Sequence, residues 1–191
     1  AVATRSTLPA LSTVLIETDQ GRLKLAATDL SLGITCWIGC QINTDGGVAV
    51  PARLLGDFVS SLGNEPVHME LDPRTRTLHL QCQRYEADIK GLDPMEFPAI
   101  PTIEGTEPAA LIDAALLRGA IGQVVFAAST DDTRPAMTGV YARIQRSGLL
   151  LVAADGFRLA LRTLDLQQPP EHELNVIIPA RAMVELSRIL A

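Results

Sequence analysis

The sequence predicts an α+β fold of antiparallel sheets with few helices, built from a duplicated module. Three observations carry this. Apolar and polar residues alternate with a period of two over short runs rich in β-branched members. Proline opens two apolar stretches of helical pattern, at Pro51 and at Pro179. The same segments also recur in the same order at nearly one offset. Val50-Pro51-Ala52-Arg53 stands 128 residues before Ile178-Pro179-Ala180-Arg181. Leu25-Ala26-Ala27-Thr28-Asp29-Leu30 stands 126 residues before Leu151-Val152-Ala153-Ala154-Asp155-Gly156, and Leu11-Ser12-Thr13-Val14 stands 126 before Met137-Thr138-Gly139-Val140. A single match is chance; an ordered series is a repeat.

Residues 12–18, 22–28 and 32–42 read as half-buried strands. Thr28-Asp29 and Asp155-Gly156 fall where paired strands reverse, and Asp-Gly is a strong hairpin signal. Pro51 and Pro179 suit a first helical turn, where a missing N–H costs nothing, and the helices run to about Leu62 and Leu190. Residues 66–72, 76–82 and 84–90 read as three further strands, and Leu92 to Pro101 as a proline-rich linker. Ala109 to Asp113 then reads as a strand and Ala114 to Phe126 as a helix. This order is not a βαβ alternation, so the sheets are antiparallel. Two domains follow, 1–107 and 108–191. If a module opens with the strand and helix of 108–126, the first copy lacks that opening and the second, stopping at its helix, lacks its closing strands. The start at Ala1, without an initiator methionine, fits a stretch cut from something longer.

Hydrophobic residues make up 47% of 191, which supplies a sizeable core. No apolar run approaches the roughly 18 residues a membrane span needs, and the start has no signal-peptide pattern. Cys36 and Cys40 lie four apart within one predicted strand, too far along it to bridge easily. With Cys82 they form an odd set without zinc spacing, as in a reduced, cytoplasmic protein. A net charge of −6 argues against a protein that simply coats DNA, and favours a loose, encircling contact over a tight one. The cations are 14 Arg against 2 Lys.

Catalytic patterns are weak. His68, His79 and His172 follow no metal-binding spacing, and no cofactor or metal is expected. Asp131, Asp132 and Asp155 offer carboxylates for a hydrolase or metal enzyme, but Ser129-Thr130-Asp131-Asp132-Thr133 reads better as a solvated, self-capping loop. Phosphate loops, nucleophile elbows and dinucleotide fingerprints are absent. The arginines are more informative. On the helix after Pro179, Arg181, Glu185 and Arg188 share a face opposite Met183, Leu186 and Leu190, with Arg181 and Glu185 as an i,i+4 pair. Arg53 holds the place of Arg181 in the earlier helix, and Arg118 stands on the helix of 114–126. By residues alone this is an ordinary solvated face.

The concatenation of motifs carries a resemblance over essentially the whole chain. Arg5-Ser6-Thr7-Leu8-Pro9-Ala10-Leu11, Ala27-Thr28-Asp29-Leu30, Val50-Pro51-Ala52-Arg53 and Glu96-Phe97-Pro98 resemble the first domain of the bacterial β sliding clamp. Phe126-Ala127-Ala128-Ser129, Asp132-Thr133-Arg134-Pro135-Ala136-Met137-Thr138-Gly139-Val140 and Ala154-Asp155-Gly156-Phe157-Arg158-Leu159-Ala160 resemble its second. Each motif alone is weak; the ordered set is specific. The resemblance implies the DNA-clamp fold, with three similar domains per subunit and antiparallel sheets outside helices that line a channel. It implies a non-catalytic processivity factor that closes head to tail as a homodimer around duplex DNA. A third domain is then absent from this chain.

The same resemblance assigns residues. Arg5, Arg53, Arg118, Arg181 and Arg188 fall near duplex DNA, and the loop from Asp131 through Arg134 to Met137 forms a DNA-touching rim. There Pro135-Ala136 replaces the aromatic residues that can occur. Arg134, Met137, Ala154, Gly156, Phe157, Arg158 and Leu159 match part of a pocket for short linear peptides. The DNA polymerase III catalytic subunit, the clamp loader, repair polymerases and mismatch-repair proteins dock there in the family. Ala154 departs from a usual threonine and Phe157 from a frequent histidine. The strand at 84–90, with Ile89, matches the edge that closes the dimer. A non-catalytic α+β interaction module without DNA encirclement is the alternative reading.

Overall fold

The computed structural model describes residues 2, 8–102, 105 and 107–190, so Arg5 lies outside the described residues. Two compact units are present, Ala1–Thr102 and Ile103–Ala191.

The first unit opens with a 3-10 turn at Pro9–Ser12 and continues through β1 (Thr13–Asp19), β2 (Arg22–Thr28), β3 (Gly33–Gly39) and β4 (Gly47–Pro51). These strands form one antiparallel sheet in the order β3-β2-β1-β4. Helix α1 (Ala52–Ser60) follows, then β5 (His68–Asp72), β6 (Thr77–Cys82) and β7 (Tyr85–Lys90), which form a three-stranded sheet in sequence order. In the second unit α2 (Ala114–Val124) precedes a 3-10 turn at Pro135–Thr138, then β8 (Gly139–Gln145), β9 (Gly148–Ala154), β10 (Leu159–Leu164), β11 (Leu174–Pro179) and α3 (Ala180–Ile189). Its sheet order, β10-β9-β8-β11, repeats that of the first unit strand for strand.

The repeat extends to capping. Ser12 Oγ donates to Pro9 O at 2.7 Å, and Thr138 Oγ1 donates to Pro135 O at 2.8 Å, so each hydroxyl closes its own 3-10 turn. Pro51 and Pro179 sit one residue earlier than expected. Each ends its strand and stands at the N-cap with ψ of 117° and 131°, because an extended ψ carries the strand into the helix. The strand expected at 109–113 is reduced to a single bridge, Leu111 to Gln168. Asp113 is instead the N-cap of α2, its carboxylate accepting from Leu116 N at 2.9 Å.

In the second unit one face of the sheet buries Val140, Ala142, Leu149, Leu151, Ala153 and Leu164 against Ala120, Ile121 and Val124 of α2 and Met183 of α3. In the first unit both faces of the four-stranded sheet are covered. Ile16, Val48 and Val50 pack with Leu78, Leu80 and Ile89 of the other sheet and with Leu55 and Phe58 of α1. On the opposite face Leu15, Ala26 and Ala49 are covered by Leu92, Phe97 and Ile100, so the proline-rich segment is a packed strap as well as a connection.

Three expectations come out differently. Ile89 was expected on a closing edge; β7 is indeed bonded to one strand only, but the Ile89 side chain is buried, because it keeps the inward parity of Leu78 and Leu80. That edge therefore presents backbone groups rather than Ile89. On α3, Met183 is buried whereas Leu186 is exposed, and Glu185 pairs with Arg188 at 2.7 Å, one turn on, rather than with Arg181.

Candidate functional site

The helix arginines stand on equivalent elements. Arg53 and Arg181 are each the second residue of a helix that follows a strand ending in proline, and both are exposed. Arg53 is 93% exposed in its side chain, with only a 3.8 Å ion pair to Asp57 beside it. Arg118 is exposed on α2, and Arg188 is exposed beside Glu185. Long guanidinium groups held this way offer weak, hydrated contacts to phosphates rather than a fixed geometry.

The second cluster arises where two turns meet. In the loop before β8, Ser129 N donates to Met137 O at 2.8 Å and closes the loop. Asp131 Oδ1 accepts from Thr133 N at 3.0 Å and from Thr133 Oγ1 at 2.7 Å, while Arg134 Nε approaches Asp131 Oδ2 at 3.7 Å. The Thr133 hydroxyl, followed by its backbone N–H, holds the Asp131 carboxyl below the ordinary value. In the β9–β10 turn Asp155 Oδ1 accepts from Phe157 N at 2.9 Å and Arg158 N at 3.0 Å, and Oδ2 accepts from Arg158 Nε at 2.9 Å. These backbone donors, Phe157 first, lower the Asp155 pKa. Both carboxylates are thus held ionised by local donors, the opposite of what general acid catalysis near neutral pH requires.

Gly156 joins the two turns. Its φ is +93°, and a Cβ there would lie 3.4 Å from Arg134 Nη1. Beside this contact Phe157 is 97% exposed and Leu159 67% exposed, with Ala154 half-buried in the strand behind them. Met137 is half-buried in the 3-10 turn. Arg134 and the segment from Ala154 to Leu159 thus form a continuous surface, an open ledge rather than a closed pocket.

Three residues were not among the expected site residues. The Arg158 guanidinium lies 5.7 Å from the Phe126 ring centroid, which adds an exposed aromatic to the ledge. Leu161 and Ile177 extend the apolar surface at 57% and 53% exposure. For Leu161 the signal was available, since 157, 159 and 161 are apolar at strand period. Among the described residues no group of three or more His, Cys, Asp or Glu side chains is arranged to hold a metal.

The duplicated sheet-and-helix unit, with matched arginines and a strap across one sheet, defines a DNA-clamp type of α+β protein. Residues 1–101 match the DNA polymerase III beta subunit N-terminal domain and residues 111–191 the central domain of the same subunit, and the chain belongs to this family. It is 37% identical over 195 residues to the beta sliding clamp of Synechococcus elongatus and 33% identical over 198 residues to that of Bacillus subtilis, covering 100% of this chain in each case. The chain spans about half the length of these relatives, 51% and 52%. The crystal structure of the Bacillus subtilis DNA polymerase sliding clamp superposes with a TM-score of 0.90 at 33% identity, over 100% of this chain and 52% of that one. The DNA polymerase III subunit beta of Pseudomonas aeruginosa superposes with a TM-score of 0.86 at 30% identity, over 97% and 51%.

Proposed function

We propose that the chain is part of a DNA sliding clamp, a non-catalytic replication processivity factor that encircles duplex DNA and tethers the replicative polymerase. The observation that carries this reading is the recurrence of an exposed arginine, Arg53 and Arg181, at the same position of equivalent helices in a family of clamps. With Arg118 and the Asp131–Arg134 rim they provide sequence-independent phosphate contacts weak enough to permit sliding. Arg5 joins them by resemblance alone. An overall charge of −6 supports the same reading, because it disfavours tight coating of DNA.

The ledge of Arg134, Met137, Ala154, Gly156, Phe157, Arg158 and Leu159 is one wall of a docking site for short linear peptides. The polymerase III catalytic subunit, clamp loader, repair polymerases and mismatch-repair proteins supply these peptides. The longer protein closes as a cytoplasmic homodimer through the backbone edge of β7.

The test is retention on DNA of the full-length product, loaded by its clamp loader. Retention on circular DNA with loss from linearised DNA supports encirclement. Equal behaviour on both sinks it and leaves a non-catalytic interaction module as the reading.

A further inference from the structure

The Asp155 carboxylate holds the β9–β10 turn with two backbone donors, and Asp29 holds the matching β2–β3 turn of the first unit in the same way. The residue that supplies the second of these N–H groups differs. In the first unit it is Leu32, and in the second it is Arg158. A leucine closes the turn as well as an arginine does, so the Arg158 guanidinium is not needed to hold it. The guanidinium is nevertheless fixed at two points. Its Nε donates to Asp155 Oδ2 at 2.9 Å, and its Cζ lies 5.7 Å from the centroid of the Phe126 ring. Holding a half-exposed arginine this way removes rotamer freedom, a cost that a surface ion pair alone seldom offsets.

Phe126 is placed for that contact by its own element. It lies in the 3-10 turn Val125–Ala127 that follows α2. Ala127 and Ala128 of the same stretch are buried and Val125 packs against the same core, whereas Phe126 is 56% exposed. The ring thus turns away from the core and meets Arg158, the chain neighbour of the exposed Phe157. A guanidinium carries five N–H donors in one rigid plane. Among the described residues Asp155 is the one acceptor bonded to it, through Nε, so the Nη groups carry the remaining donors. Beside the Asp155 carboxylate a second carboxylate is repelled, so this fork suits a neutral oxygen such as the main-chain carbonyl of an extended peptide.

Resting on the reading of the ledge as a docking wall for short peptides, we propose that Phe126 is a positioning residue of that wall. Its ring and the Asp155 carboxylate hold the Arg158 guanidinium in one orientation before a peptide arrives. The Nη donors are then presented to main-chain carbonyl oxygens of the docked segment. A fork held in advance does not have to be ordered on binding, which is how a side chain that need not touch the peptide raises its affinity. The aromatic face matters rather than the bulk, because the attraction is that of a cation for the electrons of the ring. Phe126 acts through Arg158 and through nothing else on the ledge.

The test uses the full-length protein with the DNA polymerase III catalytic subunit as probe, and Leu159→Lys in the ledge as a check on the wall itself. Phe126→Leu and Phe126→Ala should each weaken binding about two- to fivefold, the worth of one exposed cation–π contact. Phe126→Tyr should keep the affinity of the unaltered protein. In an Arg158→Ala background Phe126→Leu should cause no further loss, as a residue acting through the guanidinium requires. In arginine-labelled protein the Arg158 Nε–H resonance should move in Phe126→Leu and hold its place in Phe126→Tyr, with melting temperatures unchanged because the ring lies outside the core. Unchanged binding in Phe126→Leu, with binding lost in Leu159→Lys, would overturn the role of Phe126 and leave the docking wall standing. A further loss in the Arg158→Ala background would make Phe126 a direct contact and overturn positioning. Binding that Leu159→Lys leaves intact would remove the docking wall, and the role of Phe126 with it.

Discussion

Asp29 and Asp155 hold the same turn in two copies of one module. Each carboxylate accepts the backbone N–H groups two and three residues on, Ser31 and Leu32 at 3.0 and 2.8 Å in one copy, Phe157 and Arg158 at 2.9 and 3.0 Å in the other. The turn lies between β2 and β3 in the first unit and between β9 and β10 in the second, so one carboxylate in each unit fixes the sheet's edge hairpin.

This arrangement sets a pH response for the second copy. The Asp155 pKa lies below the ordinary 3.8, first because of the Phe157 N–H and then the Arg158 N–H, with the Arg158 side chain a smaller cause. A depressed carboxylate contributes stability that is present above the unfolded value and lost as pH falls through the lower folded value. Carboxyl NMR titration should therefore place the Asp155 midpoint below 3.8 and leave it depressed in Arg158→Gln. A midpoint at the ordinary value in that variant would show that the guanidinium, not the backbone, holds the turn.

His79 behaves in the opposite sense. Its Nδ1 lies 2.7 Å from Asp88 Oδ1 across β6 and β7, and that hydrogen bond raises its pKa above 6.5, helped by the charges of Asp88, Glu86 and Glu70. A raised histidine contributes stability below its unfolded pKa, and this is lost as pH rises through the folded value. In Asp88→Asn the imidazole midpoint should fall back toward 6.5 while the fold persists, because Asp88 is exposed and His79 only half-buried. An unmoved midpoint in that variant would break the assignment.

Much of this fold was legible because period-two patterning and turn chemistry agree. The strand expected at 22–28 is observed as Arg22–Thr28, since Gly21 and Asp29 bound it with turn residues. The strand expected at 32–42 stops at Gly39, because Cys40 to Gly46 carries Asn43-Thr44-Asp45-Gly46 and breaks the ladder. The linker's composition announced an extended segment, but not that Leu92, Phe97 and Ile100 seat on a sheet; contact partners are not encoded in composition. Within the candidate site, the expected residues were read from ordered motifs. The Arg134–Gly156 contact was not, because it joins two turns that only the fold brings together.

Helix α3 allows a stability test of a point that sequence spacing left unresolved. Met183 and Leu186 both fell on the presumed inner side, yet Met183 is 2% exposed and Leu186 is 37% exposed. Met183→Ala should cost about 2–4 kcal/mol through lost burial and a cavity. Leu186→Ala should cost about 0.5 kcal/mol, as at other surface positions. Urea midpoints of the two variants check the order, and equal losses would contradict the burial.

Gly156 joins the ledge to its supporting loop and should be the least replaceable residue there. Alanine at φ +93° is strained, costing roughly 1–2 kcal/mol. Its Cβ also meets Arg134 Nη1 at 3.4 Å, a contact that a flexible side chain relieves by moving. Gly156→Ala should therefore lower the denaturation midpoint and displace Arg134. A peptide docking on the ledge in the full-length protein should then bind more weakly, while Arg134→Ala alone should leave the midpoint unchanged. Midpoints and peptide titrations on both variants separate turn strain from loss of the arginine.

The matched arginines give the most direct check on the DNA reading. If Arg53 and Arg181 each meet one phosphate, replacing either by alanine in the full-length protein lowers the salt dependence of DNA binding by about 0.9 in slope. Replacing both should lower it by about twice that, because separated phosphate contacts release counterions independently. Neither change should alter folding, since both side chains lie on exposed helix positions and neither belongs to the core. Binding measured across a salt series, with melting curves as control, decides the matter. An unchanged slope with normal melting would mean these arginines do not meet DNA, however well their positions repeat.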